Sequence, residues 1–487
     1  MKFVQSAYIR SMNILITGGT GFIGKALVLR LRRDGHSVTA YTRSAVKARS
    51  LLGTEASFLE PSGGPDALVA AVEAADAVVN LAGDPLLGDR WTERKKASIR
   101  DSRIGLTARI VDAIRSASSK PAVLVSASAV GIYGDGGDAD LTESSPAGTG
   151  FLADVCKAWE QEAVLAQSCG VRVALLRTGV VLGREGGALD SMLPVFRAGL
   201  GGSVGSGRQF VPWIHLHDLV ELICAAISDD RWTGPVNATG PKPVRFREFA
   251  KTLGAALHRP AFLPVPALAV RVLFGQAAVV LLEGQRAIPG RATELGFRFQ
   301  FPTIQSALED ILDNTGVSIG PIDGPIPDSL YLEQRPPRFV LETRTEFSRP
   351  LSEIFSFFAR PENLGLITPG AMQFRIARMP ERISEGAEID YTLRVGPVPL
   401  SWRTRIDVWE DGRRFVDSQL KGPYSSWWHE HAFQEKDGVT VMTDRVYYAP
   451  PLGPLGAVAN GIFVSDELRR VFGYRASLMR LRFGGGD

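Results

Sequence analysis

The run Ile14-Leu-Ile-Thr-Gly-Gly-Thr-Gly-Phe-Ile-Gly24 constrains this chain more than any other stretch. Ile14, Leu15 and Ile16 read as a short buried strand, and Lys25-Ala-Leu-Val-Leu-Arg-Leu-Arg-Arg33 as an amphipathic helix. Between them lies a turn with Gly18, Gly21 and Gly24 in GxxGxxG spacing. A strand, a glycine turn and a helix in this order bring a backbone free of Cβ atoms close to a phosphate, with unpaired helix N–H groups aimed at it. The next strand, Ser37-Val-Thr-Ala-Tyr-Thr42, follows one βα unit later, so the turn is expected to cradle a dinucleotide through Gly18, Gly19, Thr20, Gly21, Phe22, Ile23 and Gly24. Where NAD sites usually carry an acid for the ribose 2′-hydroxyl, the chain reads Tyr41-Thr42-Arg43-Ser44. Arg43 suits a 2′-phosphate, so the expected cofactor is NADP, with NAD less favoured.

Downstream, Ala77-Val-Val-Asn-Leu-Ala-Gly83 reads as the strand and turn passing beneath the cofactor, placing Leu81, Ala82 and Gly83 beside it. Ala122-Val-Leu-Val-Ser-Ala-Ser128 is a further buried strand ending in hydroxyls. Alternating strands and helices specify an α/β fold, a doubly wound Rossmann-type parallel sheet that binds ligands at the carboxyl ends of its strands.

At 487 residues the chain exceeds one ordinary core. Its 22% charged and 45% hydrophobic residues suit a soluble globular protein, and a net charge of +3 without a dense basic run argues against nucleic acid. Three cysteines without a CxxC pair fit a reducing, cytoplasmic setting. Met1 to Ser11 lack the apolar core of a secretory signal. The most apolar later segment, Phe262 to Leu282, is interrupted by Pro264, Pro266 and Arg271, short of the ~20 apolar residues of a spanning helix. It is expected as a buried or lid-like helix, with no transmembrane segment in the chain.

Thr17-Gly-Gly-Thr-Gly-Phe-Ile-Gly24, Asn80-Leu-Ala-Gly83 and Ser126-Ala-Ser-Ala-Val-Gly-Ile-Tyr-Gly134 together resemble the atypical or extended short-chain dehydrogenase/reductase superfamily. Arg90-Trp-Thr, Ser102-Arg103, Leu176-Arg-Thr-Gly-Val-Val-Leu-Gly183, Gly201 to Gly207 and Trp213-Ile-His-Leu-His-Asp218 are similar to its NAD-dependent epimerase/dehydratase (nucleoside-diphosphate-sugar epimerase-like) branch. Ile288-Pro-Gly-Arg, Leu295-Gly-Phe-Arg-Phe299 and Ala307-Leu308 match that branch's C-terminal piece. The likeness spans roughly residues 12–313, and the chain there reads as a dinucleotide-binding domain, 12–240, followed by a small substrate-side subdomain, 241–314.

The resemblance implies a small-molecule substrate and a Ser–Tyr–Lys set. Ser128 takes the Ser position, and Lys157 takes the Lys position that also holds the nicotinamide ribose. Four residues before Lys157, where the proton-donating Tyr is expected, stands Ala153, whose methyl moves no proton. Tyr133, Asp154 and His215 are the substitute donors. Each also has a structural reading: a packed loop aromatic, a solvated helix carboxylate and a hydrogen-bonded histidine. The expected function is therefore an NADP-binding oxidoreductase or epimerase-like enzyme acting on a substrate between Ser128, the Gly186-Gly187-Ala188 loop and the Gly199 to Asp218 region. The alternative is a non-catalytic NADP-dependent binding or regulatory protein. Gly199 to Gly207 are expected as a flexible substrate-side loop.

Residues 315–337 are rich in Gly and Pro and read as a linker. Beyond them, Phe339 to Glu346, Glu388 to Val395, Leu400 to Trp409, Arg414 to Leu420, Ser425 to Gln434 and Val439 to Tyr448 alternate as strands, and Leu455 to Leu481 as a long helix. That order, with the opening Phe347 to Asn363, resembles the α+β helix-grip fold of polyketide-cyclase/START-like (SRPBCC) domains over 338–487 and implies an apolar ligand. Trp402, Trp409, Trp427, Trp428, Tyr447 and Tyr448 leave open whether the interior is filled or hollow. The pairs His215/His217 and His429/His431 each lack a third ligand at metal-site spacing, so no metal site is expected.

Overall fold

The structure, a computed structural model, describes residues 10–314, 316–380, 382–396 and 398–485. Met1 to Ile9, which belong to the segment read for a leader, and Thr315, the first residue of the expected linker, lie outside the described residues. The chain divides into two compact units, one of residues up to Ala45 with Ala56–Leu312, the other of Val46–Glu55 with the residues from Asp313 onward.

The first unit is built on a seven-stranded sheet, paired in parallel throughout, in the order Gly234–Ala238, Arg172–Thr178, Val123–Ala129, Ala77–Asn80, Asn13–Thr17, Ser37–Tyr41, Ser57–Leu59. Helices cover the faces, so the central strands are apolar on both sides: Ile14, Leu15, Ile16, Val78, Val79 and Leu124 are all essentially inaccessible. Asn13–Thr17 pairs with Ser37–Tyr41 on one side and with Ala77–Asn80 on the other. The direction of winding reverses at this strand, and its carboxyl end opens a crevice for a ligand. A second core of Leu193, Phe196, Trp213, Phe249, Leu253 and Leu308 joins the segments 182–213 and 244–311.

Two expectations change here. Phe262 to Leu282 is not one buried helix: Ala267–Phe274 buries Val270 but exposes Leu268, Val272 and Leu273. Pro264 and Pro266 delay the helix start, and only one apolar row finds a partner. Among the described residues no helix is long and apolar enough to cross a membrane. The glycine cluster after Gly199 is tied down, because Leu263 N donates to Gly201 O and Gly205 N to Val265 O.

The second unit holds an eight-stranded antiparallel sheet in the order Val317–Pro321, Phe339–Phe347, Val439–Ala449, Ser426–Lys436, Arg414–Lys421, Val398–Glu410, Glu388–Val395, Arg375–Arg378. The helix Ser465–Phe483 packs on the strands Val317–Pro321 and Phe339–Phe347. The Gly/Pro stretch is thus more than a joint. Val317–Pro321 is an edge strand, and Leu330–Gln334 lays Tyr331 and Leu332 on Val416, Trp428 and Tyr447. Those aromatics face away from the sheet interior and need a cover, which the short helix supplies.

Candidate functional site

The glycines of the first turn divide into two kinds. Gly18 has φ +71°, and a Cβ there would come within 2.8 Å of Ala82 N. A Cβ on Gly24 would sit 2.2 Å from Gly18 O and 2.7 Å from Gly19 Cα. These two are required by backbone packing, which sets the turn directly against Leu81 and Ala82. Gly21 is different: its only near neighbour is Gly18 O at 3.2 Å, and its φ of −78° suits any residue. Its missing side chain leaves space, which is what a pyrophosphate approaching the helix start requires. Gly21 caps the helix Phe22–Arg33 without a side-chain bond, so the first-turn N–H groups of Phe22 and Ile23 belong to an uncapped positive end. A cradle that a Cβ would fill fits a dinucleotide, and Thr20 lies within it.

Tertiary contacts fix the surroundings of the turn. The Phe22 ring lies where Cβ atoms on Gly183, Gly186 and Gly187 would fall, at 2.7, 3.0 and 3.1 Å, so the Gly186–Gly187 loop packs onto the turn. Lys25 is buried, and that burial holds its ammonium down to about 7 against the opposing pull of Glu185 from the same loop. Thr17 Oγ1 donates to Asn80 Oδ1 (2.6 Å) and accepts from Ala82 N (3.3 Å), locking the Leu81-Ala82-Gly83 backbone to the first strand. Asn80 Nδ2 and Trp159 Nε1 both donate to Thr107 Oγ1. A wide π turn at Asp101–Gly105 brings the Arg103 guanidinium to 3.0 Å from a Cβ position on Gly83, where its Nη1 donates to Asp84 O (3.1 Å). Arg43 is exposed just beyond Ser37–Tyr41.

The proposed catalytic residues fall into separate environments. Ser128 is 3% exposed and donates to Glu160 Oε1 (2.6 Å). Arg177 holds the same carboxylate through two 2.9 Å bonds and donates from Nη1 to the Tyr133 hydroxyl (2.9 Å). Tyr133 donates onward to Asn237 Oδ1 (2.7 Å), and burial raises its pKa while Arg177 opposes the rise. Asn237 Nδ2 donates to Leu141 O and Ile288 O, so this network anchors the Ile288-Pro-Gly-Arg motif. Tyr133 and Ser128 therefore have their hydrogen-bonding groups committed within the fold. Lys157 pairs with the exposed Asp154 at 2.7 Å. Ala153, on the same helix, is 1% exposed. His215 caps the helix Leu216–Ser228, lies against Phe301 with ring centroids 3.9 Å apart and planes tilted by 39°, and turns Nε2 to Asp310 (3.2 Å). Glu160 and Arg177 are the polar residues that motif reading passed over. A lone arginine within the apolar run Val173-Ala-Leu-Leu-Arg-Thr was the available signal, since a charge in a buried strand requires a partner.

The second unit holds an open-mouthed cavity of about 460 Å³ between its sheet and the helix Ser465–Phe483. Trp402, Trp427, Leu393 and Leu468 line it, whereas Trp428 and Tyr447 pack on the opposite face of the sheet. Exposed Leu452, Leu455 and Phe463 also border the cavity and mark its rim. Trp402 Nε1 is buried with no hydrogen-bond partner among the described residues. At one side lie Asp417, His429 and His431, whose ligand atoms all fall within 4.8 Å of one another. Asp417 is the third donor that the sequence spacing did not reveal. Burial holds the His429 imidazolium down to about 4, and His431 pushes it in the same direction. Burial works against ionisation of Asp444, but His431, His429 and Arg475 keep its carboxyl well below the usual range.

A model of the NAD dependent epimerase/dehydratase family matches residues 14–237, and one described as Domain of unknown function (DUF1731) matches 265–311, the segment that carries the Ile288-Pro-Gly-Arg motif. The chain is 44% identical over 310 residues to the Epimerase family protein SDR39U1 homolog, chloroplastic, of Arabidopsis thaliana, covering 62% of this chain and 87% of that protein. It is 37% identical over 302 residues to the Epimerase family protein YfhF of Bacillus subtilis, covering 62% and 98%. The crystal structure of human epimerase family protein SDR39U1 (isoform2) with NADPH aligns with a TM-score of 0.57 at 38% identity, over 62% of this chain and 99% of that one.

Proposed function

Because the chain belongs to the NAD dependent epimerase/dehydratase family, we propose that its first unit binds NADP(H) and acts as an atypical short-chain oxidoreductase or epimerase on a small molecule. The observation that carries this reading is the Gly21 cradle at the reversal of strand order, with Arg43 beyond the neighbouring strand. A relative at 38% identity was crystallised with NADPH, which supports the cofactor choice. When bound, the cofactor supplies hydride chemistry. The backbone of Gly18 to Gly24 would hold its pyrophosphate, Arg43 its 2′-phosphate, and Lys157 its nicotinamide ribose after leaving Asp154. The Leu81 to Gly83 backbone would form the floor of the site.

Arg43→Ala tests the cofactor assignment. A charge-assisted bond to a phosphate contributes about 1.5–3 kcal/mol, so the variant is expected to lose roughly ten- to a hundredfold in NADP(H) affinity with NAD(H) affinity unchanged. Calorimetry giving equal affinities for both cofactors in the unmodified protein would overturn the assignment.

One set of contacts favours the second reading, a non-catalytic NADP-dependent protein. Ala153 is buried, and Ser128 and Tyr133 have their hydroxyls engaged by Glu160, Arg177 and Asn237. Sustained NADPH oxidation with a carbonyl substrate decides for catalysis, and cofactor retention without turnover decides for binding alone.

For the second unit we propose a START-like helix-grip domain that takes an apolar ligand with a hydrogen-bond acceptor. The cavity of about 460 Å³ and the buried Trp402 indole N–H support this. An apolar fluorescent probe should bind the full chain saturably at one site, and Leu400→Trp, which fills the cavity from its wall, should reduce that binding at least tenfold. Unsaturable binding, or binding indifferent to Leu400→Trp, would sink the proposal. The three free cysteines, Cys156, Cys169 and Cys224, support a reducing, cytoplasmic compartment for the whole chain.

A further inference from the structure

Three neighbouring strands of the second sheet turn ionisable side chains onto one patch. Asp417 comes from Arg414–Lys421, His429 and His431 from Ser426–Lys436, and Asp444 from Val439–Ala449. The register sets Asp417 opposite His429 and His431 opposite Asp444. Each imidazole turns one ring nitrogen to the same oxygen, Asp444 Oδ1: His429 Nε2 at 3.1 Å and His431 Nδ1 at 2.7 Å. Thr343 Oγ1 donates to the other Asp444 oxygen (3.2 Å). A carboxylate only accepts, so the His429 nitrogen hydrogen-bonded to it carries the proton and leaves Nδ1 a lone pair, while His431 Nδ1 lies close to the same oxygen without hydrogen-bond geometry. His429 Nδ1 and His431 Nε2 lie 3.5 and 3.9 Å from Asp417 Oδ2.

Three side chains that can each offer an electron pair therefore converge, an arrangement that a cation among them would stabilise. We propose that Asp417, His429 and His431 bind one divalent transition-metal ion at the wall of the cavity. Bond lengths of about 2.0–2.2 Å in a tetrahedron put neighbouring ligand atoms roughly 3.3–3.6 Å apart, and the three donor atoms, all within 4.8 Å of one another, reach that spacing by side-chain shifts of about an ångström or less. Two imidazoles and a carboxylate select zinc or iron(II) over magnesium and calcium. Asp444, hydrogen-bonded to His429, is the kind of outer partner that fixes the ring orientation of a metal-bound histidine. Arg475 Nη1, 3.5 Å from Asp444 Oδ1, offsets that second carboxylate. The His431 ring is further held by stacking on Phe415 at 4.2 Å. Three protein ligands leave coordination positions free, and the cavity is the space these residues line, so a water or the polar end of a cavity ligand can complete the shell.

The test uses the full chain stripped with a chelator and titrated with cobalt(II), with zinc(II) as competitor. One equivalent of cobalt should give visible d–d absorption that zinc displaces. Asp417→Asn, which keeps the shape of the side chain, and His429→Ala should each weaken cobalt affinity at least a hundredfold, and Asp444→Asn roughly ten- to a hundredfold. His217→Ala, in the other His-x-His pair, should leave binding unchanged. Unaltered far-ultraviolet circular dichroism of Asp417→Asn separates loss of the site from loss of the fold. Absence of visible bands together with no saturable zinc uptake would show that a proton serves in place of the metal and would overturn the proposal. So would uptake undiminished in Asp417→Asn.

Discussion

Arg177→Met should destabilise the first unit by about 3–5 kcal/mol, because it strands the Glu160 carboxylate in the interior without its bidentate partner. Both residues are more than nine-tenths buried, and both oxygens of Glu160 are held by Arg177 at 2.9 Å. Tyr133 would also lose its donor, and Glu143 O the bond it accepts from Arg177 Nη1. The paired replacement Arg177→Met with Glu160→Gln removes both charges and should recover most of the loss, as replacing a buried pair often does. Urea unfolding of the unmodified protein, Arg177→Met, Glu160→Gln and the double variant, followed with probes specific to each unit because two units need not unfold together, measures the coupling. A loss below 1 kcal/mol for Arg177→Met would show that water reaches Glu160 and that the network is not closed. Tyr133→Phe supplies a second reading of the same network. If the hydroxyl only bridges Arg177 and Asn237, the variant should lose about 1 kcal/mol of stability and keep whatever turnover the protein has.

Gly21→Val and Gly24→Ala should separate binding from folding within one short turn. A valine at Gly21 meets Gly18 O at 3.2 Å, which a shift of a few tenths of an ångström relieves, so the fold should persist while its branched side chain fills the pyrophosphate space and NADP(H) affinity falls at least a hundredfold, about 2.7 kcal/mol. An alanine at Gly24 places its methyl 2.2 Å from Gly18 O, a backbone atom that cannot move aside without displacing the first strand. That variant should lose stability as well, by about 1–3 kcal/mol or more. Thermal unfolding and cofactor titration of both proteins distinguish the two effects. Wild-type NADP(H) affinity in Gly21→Val would mean that the turn serves packing alone.

Local pattern in the sequence determined a large share of this protein. GxxGxxG spacing after an apolar run dictated strand, turn and helix because the need for close backbone approach is local, and the structure places them at Asn13–Thr17 and Phe22–Arg33. Period-two alternation located Glu388–Val395 and Val439–Ala449 within a residue, since a half-buried strand has to alternate. Pairing across long separations was not legible. Val317–Pro321 became a strand because Phe339–Phe347 offered it an edge, and no propensity in its own Gly- and Pro-rich residues announces that. The hollow in the second unit arises from which aromatics the register turns inward, Trp402 and Trp427, and which it turns outward, Trp428 and Tyr447. Ser128 and Tyr133 carried the residue types expected of a catalytic pair, yet Glu160 and Arg177, from a helix and a strand further along the chain, captured their hydroxyls. Asp417 stands beside His429 only because two antiparallel strands pair there. A residue's type and its neighbours in sequence fix what it is able to do, whereas the buried partner that satisfies a charge or completes a ligand set comes from another strand or helix and exists only once the chain has folded.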